Sequence, residues 1–184
     1  SSGTLDFLIN KKEINKNIMI EGRVKIIKNH DNIKCGDLRV FVVSKPHDAK
    51  EAISFVFENN GKKIGFFTDL GHVTNEIKYI LKTLDVVYFE ANYCKDFILK
   101  NCKDKAENYL LRLSSDVGHL GIHQSCEALG ETCFDGQKII LSHISTNTNL
   151  YENTYLQVKN YLDNLKLFPT LFVSFQSEPT EWIE

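Results

Sequence analysis

Lys62-Lys63-Ile64-Gly65-Phe66-Phe67-Thr68-Asp69-Leu70-Gly71-His72 is a short apolar run that ends in an acid, a glycine and an imidazole. Residues 64–67 read as a buried strand, and the Thr-Asp-Leu-Gly that follows puts a carboxylate where a sheet meets its loops. Chemistry in α/β proteins concentrates on such loops. A carboxylate can bridge two divalent cations, so Asp69 is a candidate metal ligand if histidines converge on it. The alternative is an Asp that caps the next helix or turn.

Upstream of this stretch, Asn59-Asn60-Gly61 is a hairpin signal, since Asn60 and Gly61 suit positive φ. It joins residues 64–67 to a preceding strand at 52–58. Residues 38–44 form a further strand rich in β-branched side chains, ending at Lys45-Pro46-His47-Asp48, where Pro46 offers no ladder donor. His47 therefore lies at a strand-to-loop junction. The strand after it pairs with the strand before Asp69, so two loops can face one site. Residues 4–22 mix Leu, Ile, Lys and Asn without a clean period and read as a short helix or strand leading to 23–28. Ser1-Ser2-Gly3 carries no structural weight in this reading.

Downstream, Thr74 can cap a helix whose Ile77, Ile80, Leu81 and Leu84 follow helical spacing. Residues 85–90 then read as a buried strand ending in Glu90-Ala91-Asn92-Tyr93, and this β-α-β alternation predicts a largely parallel region. Residues 94–113 look helical but polar, with Lys95, Lys100, Lys103, Lys105 and Arg112 as a solvated face; phosphate contact is the sharper alternative. Ser115-Asp116-Val117-Gly118-His119-Leu120-Gly121 is a second glycine-framed histidine, followed by a helical run over 122–129. His119 and His123 stand at a chelating spacing, but no Glu follows the first, and His123 reads as ordinary. Residues 137–142 form a strand ending at His143. A helix with Tyr151, Tyr155, Val158, Leu162 and Leu165 on one face stops before Pro169. Residues 170–175 read as another strand and 181–183 as a short edge strand.

His47, Asp69 and His143 thus each follow an apolar strand. Two imidazoles and a carboxylate suit zinc, manganese or iron, and an open position on such a metal activates water.

With 184 residues, 42% hydrophobic and 11% aromatic, the chain can bury a substantial core and is read as one α/β domain over 1–184. Its 22 basic and 24 acidic residues give a charge of −2, which excludes a global field for nucleic acid and leaves room for a local patch. No run reaches the roughly 18 apolar residues that a bilayer span needs, and the start carries no signal-peptide pattern. A soluble cytoplasmic protein without membrane contact is expected. The five cysteines are an odd number with no C-x-x-C pair, which argues against a disulfide framework and a zinc ribbon.

Five segments together resemble the metallo-β-lactamase superfamily, and within it the YycJ/WalJ-like branch. They are Pro46-His47-Asp48-Ala49, Phe67-Thr68-Asp69-Leu70-Gly71, Phe89-Glu90-Ala91-Asn92-Tyr93, Asp116-Val117-Gly118-His119-Leu120 and Leu141-Ser142-His143-Ile144-Ser145, in the family's order. The similarity runs from about residue 24 onward. It implies an αββα sandwich of two mixed sheets faced by helices, with the site at one sheet edge. By this resemblance His47, Asp69 and His143 are the last three metal-ligand positions, Asp69 being the one that bridges two divalent metals, zinc or manganese. It further implies catalytic roles for Asp69 and His119, the latter as proton donor or phosphate contact, and substrate contacts by Asn92 and His119. Nucleic-acid ends are the substrate class implied, cleaved in exonuclease fashion, with smaller phosphodiesters as the neighbouring class.

The family's principal metal motif, His-x-His-x-Asp-His, is formed by none of the six histidines, His30, His47, His72, His119, His123 and His143. The chain is accordingly expected to be the C-terminal two-thirds of such a fold, incomplete at its N-terminus, as a truncated product or a natural remnant. Three ligands hold at most one metal, weakly, so little or no turnover is expected. The contrasting reading is a non-catalytic domain that keeps the fold for binding or assembly. Cys94 stands where the family usually has an acid, and Gly121-Ile122 where it has Ser-Asn, which weakens the substrate contacts implied near His119. An incomplete sandwich leaves an apolar face and edge uncovered, predicting homo-oligomers or reduced stability, with Leu5, Phe7, Leu8, Ile18 and Ile20 as substitute cover. Alternatively residues 4–27 fold back and complete the sheet.

Overall fold

A computed structural model describes residues 1–11, 24–102, 107–180 and 182–183. Ile18, Ile20, Lys103, Lys105 and Glu181 lie outside the described residues. The strands are β1 (Asn32–Cys35), β2 (Leu38–Ser44), β3 (Ile53–Asn59), β4 (Lys62–Phe67), β5 (Val86–Glu90), β6 (Lys138–Ser142) and β7 (Thr170–Val173). They make one seven-stranded sheet in sequential order. β1 to β4 pair antiparallel and β4 to β7 pair parallel.

The helices are α1 (Ser2–Asn10), α2 (Asn75–Leu81), α3 (Lys95–Asn101), α4 (Glu107–Leu113), α5 (Ile122–Thr132) and α6 (Tyr151–Asn164). The antiparallel half needs only tight turns. Asn60 and Gly61 both take positive φ, 49° and 75°, so the β3–β4 hairpin has the twist that a two-residue turn requires. The parallel half needs crossovers, and α2 supplies the one between β4 and β5. Thr74 accepts from the Ile77 N–H through its hydroxyl and caps α2. Buried Gln137 donates to the Leu81 and Leu84 carbonyls, closing the C-terminal end of that helix against the start of β6.

Alternation along the strands separates two faces. Val43, Val56, Phe67, Val87, Phe89, Ile139 and Leu141 pack into a core with Ile77, Leu81, Leu129, Val158 and Leu162 from α2, α5 and α6. On the other face Phe55 pairs with Phe66 and Phe57 with Ile64, and the rings of Phe57, Phe66 and Tyr88 lie in a row across three strands, the first two edge-on and the last two tilted. Ile64 and Phe66 are 39% and 41% exposed there. Of the two sheets of an αββα sandwich, the described residues contain this one.

Three expectations change. Phe7 is exposed while Leu5 and Leu8 are half-buried, and α1 docks by its polar start, where Ser2 and the Gly3 N–H donate to Glu51. The last strand ends at Val173, and Ser174 to Gln176 line a cavity. Trp182 and Ile183 are not in a strand, and Trp182 is almost wholly exposed. No helix among the described residues is long and apolar enough to cross a membrane.

Candidate metal centre

The C-terminal ends of β4, β5 and β6 lie side by side, and the chain leaves each at a polar residue. Asp69 and His143 both have positive φ, 55° and 54°. Non-glycine residues adopt this at a cost, which turns their side chains back across the strand ends. Asp69 does not cap α2; Thr74 does.

Backbone contacts gather the loops. The Gly71 N–H donates to the Pro46 carbonyl and the Asp48 N–H to the Val117 carbonyl, each at 2.9 Å. These bonds tie the His47, Asp69 and His119 loops to one another. Gly71 is required: a Cβ there would run into the Asp116 carbonyl. The Asn92 N–H reaches the Leu120 carbonyl and the Ser145 N–H the Asn92 carbonyl, which fixes the loop after β6 to the loop after β5.

Asp69 Oδ1 consequently lies 3.8 Å from His47 Nε2 and 3.6 Å from His143 Nε2. His119 joins them, its ring centroid 5.3 Å from that of His47 and 5.1 Å from that of His143. Ligand atoms of Asp69, His119 and His143 fall within 4.8 Å of one another. The second nitrogens are occupied. Wholly buried Glu90 presents Oε1 at 2.7 Å to Nδ1 of both His119 and His143, while its Oε2 accepts from the Leu70 N–H. His47 Nδ1 lies 3.0 Å from the Gly118 carbonyl, which only a ring N–H can satisfy. All three imidazoles thus carry their proton on Nδ1, and those of His47 and His143 turn Nε2 toward the carboxylate. That is the second-contact pattern by which proteins orient metal-binding histidines.

The electrostatics agree. The Glu90 hydrogen bond raises His143 above the ordinary imidazole range, against the effect of burial. Burial pushes Asp69 up, but the charges of His143, Lys45 and His47 outweigh it and hold the carboxyl below its usual range. Burial lowers the Lys45 ammonium, which donates to the Thr68 carbonyl and stands 3.7 Å from Asp69 Oδ2.

Asn92, expected at the substrate, is buried and donates to the His143 carbonyl at 2.6 Å, holding the strained loop. It still borders the cavity, and its Oδ1 has no partner. His123 packs edge-on to Tyr93, away from the cluster. Glu90 and Lys45 were not singled out as site residues from sequence. A lone acid closing the apolar run Val86-Val87-Tyr88-Phe89 was the available signal for Glu90; Lys45 had none. The five cysteines are free thiols, with burial pushing Cys126 and Cys133 up to about 11.

The donor set fits a divalent cation: one carboxylate and imidazole Nε2 atoms converge, each imidazole having its other nitrogen satisfied. A mixed sheet carrying such a cluster at its parallel strand ends defines an α/β protein with a histidine–carboxylate centre. The chain belongs to the β-lactamase superfamily, whose domain model matches residues 6–144. It is 30% identical over 129 residues to exodeoxyribonuclease YycJ of Bacillus anthracis, a match covering 70% of this chain and 48% of that protein. It is 28% identical over 128 residues to exodeoxyribonuclease WalJ of Streptococcus pneumoniae, covering 69% and 47%. The chain therefore spans about half the length of the curated relatives it matches. Among solved structures, zinc-bound PqqB of Methylobacterium extorquens aligns with a TM-score of 0.62 at 15% identity, over 91% of this chain and 59% of that one.

Proposed function

We propose that the cluster of His47, Asp69, His119 and His143 belongs to a metal-dependent phosphodiesterase centre that acts on nucleic-acid ends. The observation that carries this reading is Asp69 Oδ1 set between Nε2 of His47 and Nε2 of His143, with the remaining ring nitrogens held elsewhere. His47, Asp69 and His143 would hold the metal, zinc or manganese, with Asp69 as the ligand shared between two. Bound there, a divalent cation supplies Lewis acidity and lowers the pKa of water. Glu90 keeps the rings of His119 and His143 in register. In its doubly protonated form, with Nδ1–H kept on Glu90, His119 would give its Nε2 proton to the departing oxygen or donate it to the phosphoryl group. Lys45 offsets part of the negative charge on Asp69. The names of the Bacillus and Streptococcus relatives support the exonuclease substrate class.

A non-catalytic binding role is the second reading, favoured by the lack of a His-x-His-x-Asp-His motif among the six histidines. The test presents 5′-phosphorylated single-stranded DNA to the purified chain with manganese. Manganese-dependent binding lost in Asp69→Asn, with little or no cleavage, is expected. Robust cleavage abolished by Asp69→Asn would prove the centre catalytically sufficient in this chain and overturn the expectation of low turnover. Binding indifferent to both metal and Asp69→Asn would favour the non-catalytic role.

A further inference from the structure

The cavity over the cluster, about 770 Å³, extends well beyond the metal-ligating side chains to a wall formed by Tyr88, Tyr151, Ser174 and Phe175. Nothing in the handling of a phosphate calls for that wall. It is also a built feature. Ser174 follows β7 as His143 follows β6, Leu141 pairs with Val173, and the Ser174 N–H donates to the Leu141 carbonyl at 2.9 Å. Tyr151 opens α6, and its hydroxyl accepts from the Gln176 N–H at 3.2 Å. The Tyr88 hydroxyl and Ser174 Oγ lie 2.6 Å apart. These bonds seat the rings of Tyr151 and Phe175 edge-to-face, 4.9 Å between centroids at 63°. An edge-to-face pair leaves a ring face uncovered, and Phe175 is 44% exposed.

Adjacent strands stand roughly 4.8 Å apart, so this ring pair lies about one to two strand spacings from His143. That is the reach from a phosphate to the base of the same nucleotide. Among the described lining residues Asp69 is the only carboxylate, and Ser145, Thr146, Asn147 and Gln176 supply neutral hydroxyl and amide groups between cluster and wall. A neutral planar group that bears hydrogen-bonding edges fits such a wall. Base stacking on aromatic side chains is the sequence-tolerant way in which proteins hold single strands.

We propose that Phe175 and Tyr151 form a stacking platform for the nucleobase beside the phosphate held at the cluster, so that the cavity takes a whole nucleotide unit. The inference rests on the phosphodiester reading and fixes its substrate as a nucleotide chain rather than a small phosphodiester without a base. Tyr151 lies on the chain that continues from His143 and Phe175 on the chain that leaves the next strand, so base and phosphate are located by one sheet.

Isothermal titration calorimetry of the full chain with manganese tests it, using 2′-deoxyadenosine 5′-monophosphate, deoxyribose 5-phosphate and deoxyadenosine. The mononucleotide is expected to bind roughly 5- to 100-fold more tightly than deoxyribose 5-phosphate. Phe175→Ala should abolish that gap and leave deoxyribose 5-phosphate unchanged, and Phe175→Trp should restore it. Equal binding of the two phosphates, or a gap that survives Phe175→Ala in a chain with an unaltered thermal melt, overturns the platform. Deoxyadenosine binding that depends on Phe175, with no binding of deoxyribose 5-phosphate, keeps the platform and removes the phosphodiester reading. Metal-dependent binding of deoxyribose 5-phosphate with no contribution from the base does the reverse.

Discussion

Glu90 and His143, on neighbouring strand ends, meet through Oε1 and Nδ1 at 2.7 Å, and Glu90 is wholly buried. The same oxygen holds His119. Replacing Glu90 by Gln keeps the shape but removes the charge and puts an amide before two ring N–H donors. Affinity for zinc should fall about 10- to 100-fold, the usual cost of losing a carboxylate behind a metal-binding histidine. Zinc titration monitored by calorimetry checks this, and unchanged affinity would exclude Glu90 from the centre.

The raised His143 makes opposite demands on folding and on metal binding. Because its folded value lies above the unfolded one near 6.5, its contribution to stability in metal-free protein is full below about pH 6.5 and fades as pH rises through the folded value. Metal needs the neutral ring, so zinc affinity should rise with pH across that same window. Thermal melts and zinc titrations taken together across the window test both slopes; in Glu90→Gln the shift of His143, and with it the displacement of the window, should shrink.

Gly71 sets the distance between two loops. An alanine there meets the Asp116 carbonyl, so Gly71→Ala should push the 116–119 loop outward and cost about 1–3 kcal/mol of stability. Denaturant unfolding gives the energy. Reduced zinc affinity in the folded variant would show that the displacement reaches His119.

The face bearing Phe55, Phe57, Ile64 and Phe66 carries contiguous apolar side chains with two of them well exposed. Exposed apolar patches of this kind draw partners. Light scattering coupled to size exclusion should find an oligomer, and Ile64→Ser with Phe66→Ser should shift it toward monomer. A monomer with a sharp, high-temperature transition would show the face to be tolerated as it stands.

In the antiparallel half β2, β3 and β4 were legible because their signals are local, whereas β1 was not, since Asn32–Cys35 is four residues long, mostly exposed, and offers no apolar run. Asn60-Gly61 dictates the β3–β4 turn, β-branched runs dictate strands, and Thr74 announces α2. The parallel half followed from β-α-β alternation. Strand ends were legible as positions for His47, Asp69 and His143, since an apolar run stops visibly at a polar residue. The role of Glu90 was not, because it depends on two rings brought in by loops 29 and 53 residues later in the chain. Lys45 escaped for the same reason: its meaning comes from Asp69 across a hairpin. The edge strand expected near residue 182 failed because local apolar content there meets no neighbouring strand.

In the proposed centre the Nε2 atoms of His47 and His143, fixed through Nδ1, face Asp69 to hold a divalent metal. Nitrogen-15 NMR of the histidine side chains during zinc titration tests it most directly. Nδ1-protonated tautomers of His47, His119 and His143 are expected, with zinc moving the Nε2 resonances of His47 and His143 and with Asp69→Asn suppressing that response. Zinc that leaves those resonances unmoved, or moves them equally in Asp69→Asn, would contradict the account.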